Sequence, residues 1–225
     1  MIYRELFNKD MINKTFNNSK LLHVLFDKKL HPVNQERVTV KKGEFLFLEN
    51  EIHDSIYLVV EGLFIVWKSA HVIHIVGKRD FIGLDSILAN EKSFFSVEAL
   101  GDATLWRFSK EEVVCKLMSL QEGIFYLYND MKTVKVHLLH KKMLQRKNSK
   151  IRILSNMIQL GEKYGEESPE LIKLPNGLNK KIIANYSNVN LATMRVACRQ
   201  LANDNILEET YQLMINKSRV KNLMT

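Results

Sequence analysis

The sequence predicts an α+β fold: an N-terminal β-roll of jelly-roll type, a long dimerisation helix and a C-terminal winged helix-turn-helix. Three observations predict it. Between residues 36 and 108, short β-branched and aromatic runs alternate with five of the nine glycines, as tight turns between many short strands require. From Lys110 the hydrophobic period lengthens to about 3.6 residues, the helical repeat. Residues 178–208 then carry two short helical patterns joined by a turn, in the more basic half of the chain. At 225 residues and 46% hydrophobic, the chain can bury a sizeable core. The division read from these patterns is 1–109 for the β-roll, 110–147 for the dimerisation helix and 148–225 for the winged helix-turn-helix.

Residues 1–30 form a short helical lead, with Leu21, Leu22, Leu25 and Phe26 at helical spacing. Strands follow at Arg37–Val40, Phe45–Leu48, Ile56–Val60, Leu63–Trp67, Val72–Val76 and Thr104–Phe108. Beyond Lys110 only Gly123 interrupts a helical stretch reaching Gln145. Its apolar residues Ile124, Leu127, Tyr128, Met131, Val134 and Leu138 recur every three or four positions. Such a seam fits a helix that pairs with a copy of itself, or one packed on its own β domain. After Leu138 the seam turns polar (Lys141, Lys142, Gln145, Arg146, Lys147), pointing that end towards solvent or a polyanion. Asn148-Ser149 reads as a hinge and a new N-cap. An amphipathic helix with Ile151, Leu154, Met157, Ile158 and Leu160 follows, ending near Gly161 or Gly165.

No run of 18 apolar residues occurs, so no transmembrane helix is expected. Met1–Leu6 lacks the pattern of a secretory leader. Cys115 and Cys198 form no CxxC pair, which fits a reducing cytoplasm and gives neither disulfide framework nor metal cluster. The net charge of +8 is uneven: residues 1–110 contribute +1 and residues 111–225 contribute +7. Cations gathered in one half suit a polyanion partner, because each one near a phosphate releases condensed counterions.

Within 178–208, Asn179 is placed to cap a first helix ending near Tyr186, and Ala184 supplies the small side chain that closely crossing helices need. Asn188 occupies a tight turn, where a left-handed backbone favours Gly but tolerates Asn. Asn190 caps a second helix whose wheel divides: Met194, Ala197, Cys198 and Leu201 on one face, Ala192, Arg195, Val196 and Arg199 on the other. Leu191 and Thr193 stand near the N-terminal end of the outward face, where a recognition helix meets base edges in the major groove. Arg195 and Arg199 can fork onto guanine or clamp phosphate, while Leu191, Ala192 and Val196 suit thymine methyls. Lys180 and Lys181 bring ammonium groups to the first helix's N-terminus, favouring a phosphate there. Ile206–Glu209 and Gln212–Ile215 read as a hairpin wing. The pattern implies a DNA-binding transcription regulator.

This order of parts resembles the Crp/Fnr superfamily over about residues 36–216. The phrases Val40–Phe47, Ile56–Gly62 and Arg79–Gly83 resemble its β-roll, and residues 178–208 its DNA-reading motif. The resemblance implies a cytoplasmic homodimer on double-stranded DNA, with an inverted-repeat operator. It also admits RNA polymerase and an unidentified small-molecule effector as partners. Two departures stand out. Cyclic-nucleotide-binding members hold the phosphate with a Gly-Glu pair and an Arg-Ser/Thr; this chain has Gly83-Leu84-Asp85-Ser86 and Phe94-Phe95-Ser96 instead. Cyclic AMP or cyclic GMP is therefore not expected to be the effector. Leu191, Ala192 and Val196 also replace charged members of the base-reading pattern, so the usual half-site is not expected.

His71 and His74 on a strand, and His137 and His140 on the long helix, lack an evident third ligand and read as solvated. No metal or cofactor is expected. Cys115 is read as a buried thiol on an amphipathic helix, the redox-sensor alternative being the rarer outcome. Phe81, Phe94, Phe95 and Trp106 suit the β-roll core better than an effector pocket. No nucleophile elbow, P-loop, zincin motif or carboxylate pair is found, so catalysis is not expected. The competing functional reading is a ligand-sensing or interaction module whose C-terminal helices bind a protein partner.

Overall fold

The computed structural model describes residues 9–88 and 91–224. The part of the expected lead before Lys9, with the Met1–Leu6 segment read for a leader, lies outside the described residues. The chain divides into two compact units, Met1–Ala70 with His74–Leu138, and His71–Ile73 with Leu139–Thr225.

The N-terminal unit begins with helices α1 (Lys9–Thr15) and α2 (Asn18–Phe26). Eight strands follow: β1 (Gln35–Val40), β2 (Phe45–Phe47), β3 (Ser55–Glu61), β4 (Leu63–Lys68), β5 (His71–Gly77), β6 (Phe81–Ile82), β7 (Ser96–Ala99) and β8 (Ala103–Ser109). They form two four-stranded sheets, β1-β8-β3-β6 and β2-β7-β4-β5. The six strands read from the sequence are all present. Of the two missed, β6 has only two residues, too few to show a period, and β7 (Ser-Val-Glu-Ala) carries a single β-branched residue. Gly62 makes the β3–β4 turn at φ +99°, where a Cβ would come within 2.5 Å of the Ala103 Cβ. Ile56, Leu58, Phe81 and Phe108 form a core with Leu21 and Leu25 of α2 and with Val113 and Leu117.

The helix expected to run unbroken from Lys110 is two helices, α3 (Lys110–Met118) and α4 (Gly123–Leu144). The break has a local cause. The Ser119 hydroxyl and the Leu120 N–H bond back to the carbonyls of Lys116 and Leu117, closing a turn. Gly123 then approaches so closely that a Cβ would lie 1.8 Å from the Leu117 carbonyl oxygen. Lys116 on α3 is almost wholly buried, and its ammonium donates to the carbonyls of Asp27 and Leu30 just beyond α2. A cation on carbonyls at a helix C-terminus opposes the negative end of the helix dipole. Cys115 is exposed, not buried as its position on an amphipathic helix suggested, because α3 turns Val113, Lys116 and Leu117 to the core.

The C-terminal unit holds α5 (Ser149–Tyr164), β9 (Glu166–Glu167), β10 (Leu171–Lys173), α6 (Lys180–Tyr186), α7 (Leu191–Asn203), β11 (Leu207–Glu209), β12 (Leu213–Asn216) and α8 (Lys217–Met224). The strands make one antiparallel sheet in the order β11-β12-β10-β9, a larger sheet than the hairpin wing expected. Fully buried Ile153, Leu154, Met157, Ile183, Met194, Leu201 and Ile215 join the core of this unit.

Candidate DNA-binding surface

The helix pair forms as its capping residues dictate. The Asn179 side chain accepts from the Ile182 N–H at 3.0 Å, and the Asn190 side chain from the Thr193 N–H at 2.7 Å. Between the helices, Asn188 adopts φ +52°, the left-handed turn conformation. The Val189 N–H closes the turn onto the Ala184 carbonyl, and Ala184 is buried.

On α7, Met194, Ala197, Cys198 and Leu201 are buried, so the wheel divides as its sequence requires. Asn190, Ala192, Arg195, Val196 and Arg199 are exposed, with Leu191 and Thr193 half-buried beside them. Val196 is 55% exposed, an apolar residue on the outward face of a helix whose opposite face is fully covered. Cys198 is no candidate nucleophile, since burial in particular pushes its thiol up to about 11. At the start of α6, Lys181 is exposed. Lys180 is engaged otherwise: its ammonium pairs with the Glu209 carboxylate of β11 at 2.5 Å. This cation braces the wing, and a phosphate would have to compete with Glu209 for it.

The α4 face carries different chemistry. Ile124, Tyr128, Met131, Val134 and Leu138 are exposed, Met131 at 65%. Leu127 instead packs against the core of the N-terminal unit. Leu127 thus packs on this helix's own unit, and the other five residues leave an apolar face uncovered.

Around the departures at Gly83–Ser86, Gly83 has φ +94°, and Leu84–Ser86 form a single 3-10 turn with Leu84 and Ser86 buried. The Ser86 hydroxyl lies 3.0 Å from His53 Nε2 and accepts from the buried Lys110 ammonium at 3.3 Å. His53 Nδ1 lies 2.9 Å from the Ser55 carbonyl, and its ring stacks on Phe47. Burial first, and Lys110 second, push the His53 pKa down. A neutral ring satisfies this chain of bonds: Lys110 donates to Ser86, Ser86 to His53, and His53 to the Ser55 carbonyl. Phe81 is core and Trp106 packs beside it, whereas Phe94 is 62% exposed. The Ser96 hydroxyl accepts from the Glu49 N–H.

The ring centroids of His74 and His137 lie 4.4 Å apart, and among the described residues no three potential ligands converge on a metal position. No helix among them is long and apolar enough to cross a membrane. One residue escaped the sequence reading. Arg152 on α5 reaches the carbonyls of Gln145, Lys147 and Asn188. Its partners are backbone carbonyls, two of them five and seven residues away and one 36 residues away, and no residue-type pattern marks such contacts.

Comparisons with known proteins agree with this architecture. Residues 37–119 match the family described as the cyclic nucleotide-binding domain. Among curated proteins, none matches the sequence. FixK2 from Bradyrhizobium japonicum superposes with a TM-score of 0.74 at 18% identity, over 84% of this chain and 97% of that one. A transcriptional regulator of the CRP/FNR family from Thermus thermophilus gives 0.64 at 16%, over 84% and 99%. The chain has the Crp/Fnr fold. A cyclic nucleotide-binding domain protein from Listeria monocytogenes also shares that fold, with a TM-score of 0.70 at 18% identity, over 89% and 97%.

Proposed function

We propose that the protein is a sequence-specific DNA-binding transcription regulator of Crp/Fnr type, acting as a homodimer in the cytoplasm. The observation that carries this reading is the divided α7 helix. Its inward face is apolar and buried, while Arg195, Val196 and Arg199 stand exposed beyond a capped N-terminus. Arg195 and Arg199 read base edges or clamp phosphates; Leu191, Ala192 and Val196 meet thymine methyls; Asn190, Thr193, Lys180 and Lys181 flank them. Lys180 serves first as the wing's ionic brace. The apolar α4 face of Ile124, Tyr128, Met131, Val134 and Leu138, with Leu127 at its margin, buries against a second copy. Two recognition helices then enter successive major grooves roughly 34 Å apart on an inverted repeat.

The N-terminal unit acts without cyclic AMP or cyclic GMP, because a buried leucine stands where the phosphate cassette needs a carboxylate and Phe94-Phe95 where it needs an arginine. Its effector is a different small molecule or none, RNA polymerase is a partner of the DNA-bound form, and the protein is not an enzyme. The test is selection of bound fragments from genomic DNA, followed by gel shifts. Arg195→Ala or Arg199→Ala should weaken specific binding by about 1–3 kcal/mol and relax preference at one base pair. Unchanged affinity and preference in both variants would discard this recognition face. Clear thermal stabilisation by cyclic AMP would overturn the reading of the cassette.

A further inference from the structure

The hinge between α4 and α5 is held in a way that its sequence does not announce. The N–H groups of Gln145, Arg146 and Lys147 turn back onto the carbonyls of Lys142, Met143 and Leu144, ending α4. Asn148 then caps α5 by accepting from the Ile151 N–H at 2.9 Å. One guanidinium spans this hinge and the helix-turn-helix. Arg152 donates to the Gln145 carbonyl at 3.1 Å, to the Lys147 carbonyl at 3.5 Å and to the Asn188 carbonyl at 3.3 Å. Residues 145–147 are therefore fixed within a guanidinium's width of the turn that leads into α7.

The cations at this junction have no carboxylate partner among the described residues. Arg152 meets carbonyls instead of a carboxylate, and its Nε is buried without a hydrogen-bond partner. Arg146 and Lys147 are exposed, and among the described residues no ion pair is found to either. Some other cations of this unit are paired with carboxylates: Lys150 with Asp204, Lys180 with Glu209, and Lys217 with Glu167. Three cations without acidic partners beside one turn create a local positive field that attracts an anion.

We infer that Arg146 and Lys147, held beside the Asn188 turn by Arg152, form a second phosphate-binding patch on the DNA backbone next to the recognition helix. This rests on the proposed DNA-binding function and adds residues to it. The patch is sequence-blind: it sets affinity and register, while α7 supplies discrimination.

The test uses the full-length protein and two duplexes, one of random sequence and one recovered by the genomic selection. Fluorescence anisotropy is recorded across a salt series for the wild type and for the double variant Arg146→Gln, Lys147→Gln. Both side chains are exposed, so the variant should fold, and circular dichroism checks this. The slope of log affinity against log salt should become shallower by about 0.9 for each phosphate the variant no longer neutralises, up to two per protomer. Affinity should fall by the same factor on both duplexes. An unchanged slope in a folded variant, with a steep wild-type slope, would overturn the patch and leave the recognition helix standing. A weakening confined to the selected duplex would overturn it too, since that would make the residues base readers. A wild type with no salt-dependent binding to either duplex would instead remove the DNA-binding function itself.

Discussion

Along α4 the outward residues are Ile124, Tyr128, Met131 and Leu138; along α7 they are Arg195, Val196 and Arg199. Each helix covers one face with its own unit and leaves the other unmatched, but the unmatched chemistries are opposite. An apolar face gains by leaving water against another apolar surface, and salt scarcely opposes that gain. A cationic face gains by displacing counterions from a polyanion, and salt opposes that directly. Ionic strength therefore separates the two: association through α4 should survive high salt, and association through α7 should not.

The largest expected effect lies on the covered side of α7. Met194 is fully buried, and Met194→Ala should lower the stability of the C-terminal unit by about 2–5 kcal/mol, read by thermal or urea unfolding. A variant as stable as the wild type would show that the inward face is not the core of the helix pair. On the uncovered side of α4, Met131→Asp should raise the dimer dissociation constant roughly 30-fold or more, about 2 kcal/mol, with little change in unfolding. Sedimentation velocity decides this, and a wild type that is monomeric at micromolar concentration would remove α4 as a dimer face. Asn190→Ala deletes the α7 cap and should cost about 1 kcal/mol. Finding no loss there would mean that packing alone sets where α7 begins.

The smallest effect belongs to His53 and touches neither helix. Its pKa is pushed below the ordinary value near about 6.5, so the folded unit favours the neutral ring, and the unfolded chain takes the proton first. Stability of the N-terminal unit should fall as pH drops below about 6.5 and level off above it. Replacing His53 with Gln should remove that increment. An identical pH profile in the variant would show that the ring titrates as freely folded as unfolded.

The C-terminal unit was legible because its determinants are local. Asn179, Asn188 and Asn190 act within a few residues of themselves, and the α7 wheel follows from the helical period alone. Strands β1, β3, β4, β5 and β8 were legible for the same reason, with β-branched runs bounded by turns. Strands β6 and β9, two residues each, carry no period, and pairing across the sheet defines them. The break between α3 and α4 depends on Gly123 meeting Leu117, and a lone glycine in a helical pattern does not predict that. The Lys180–Glu209 pair and the Arg152–Asn188 contact join positions 29 and 36 residues apart, so they exist only once the chain has folded.

The first turns of the helices bear a cost that sequence patterns usually avoid. An acidic residue there is worth about 0.3–1 kcal/mol against the helix dipole. Helix α1 takes that gain with Asp10, and α3 with Glu111 and Glu112. Helices α2, α5, α6 and α7 have no acid in the first turn, and each is capped by a neutral asparagine, so the C-terminal unit follows this pattern at all three of its capped helices. Aspartate would cap equally well, but it would set a fixed negative charge at those helix starts. The C-terminal unit thus forgoes stability within its own chain and keeps its positive helix ends unneutralised. A screen for thermostable variants would therefore recover Asn190→Asp as a gain in melting temperature and a loss on the gel.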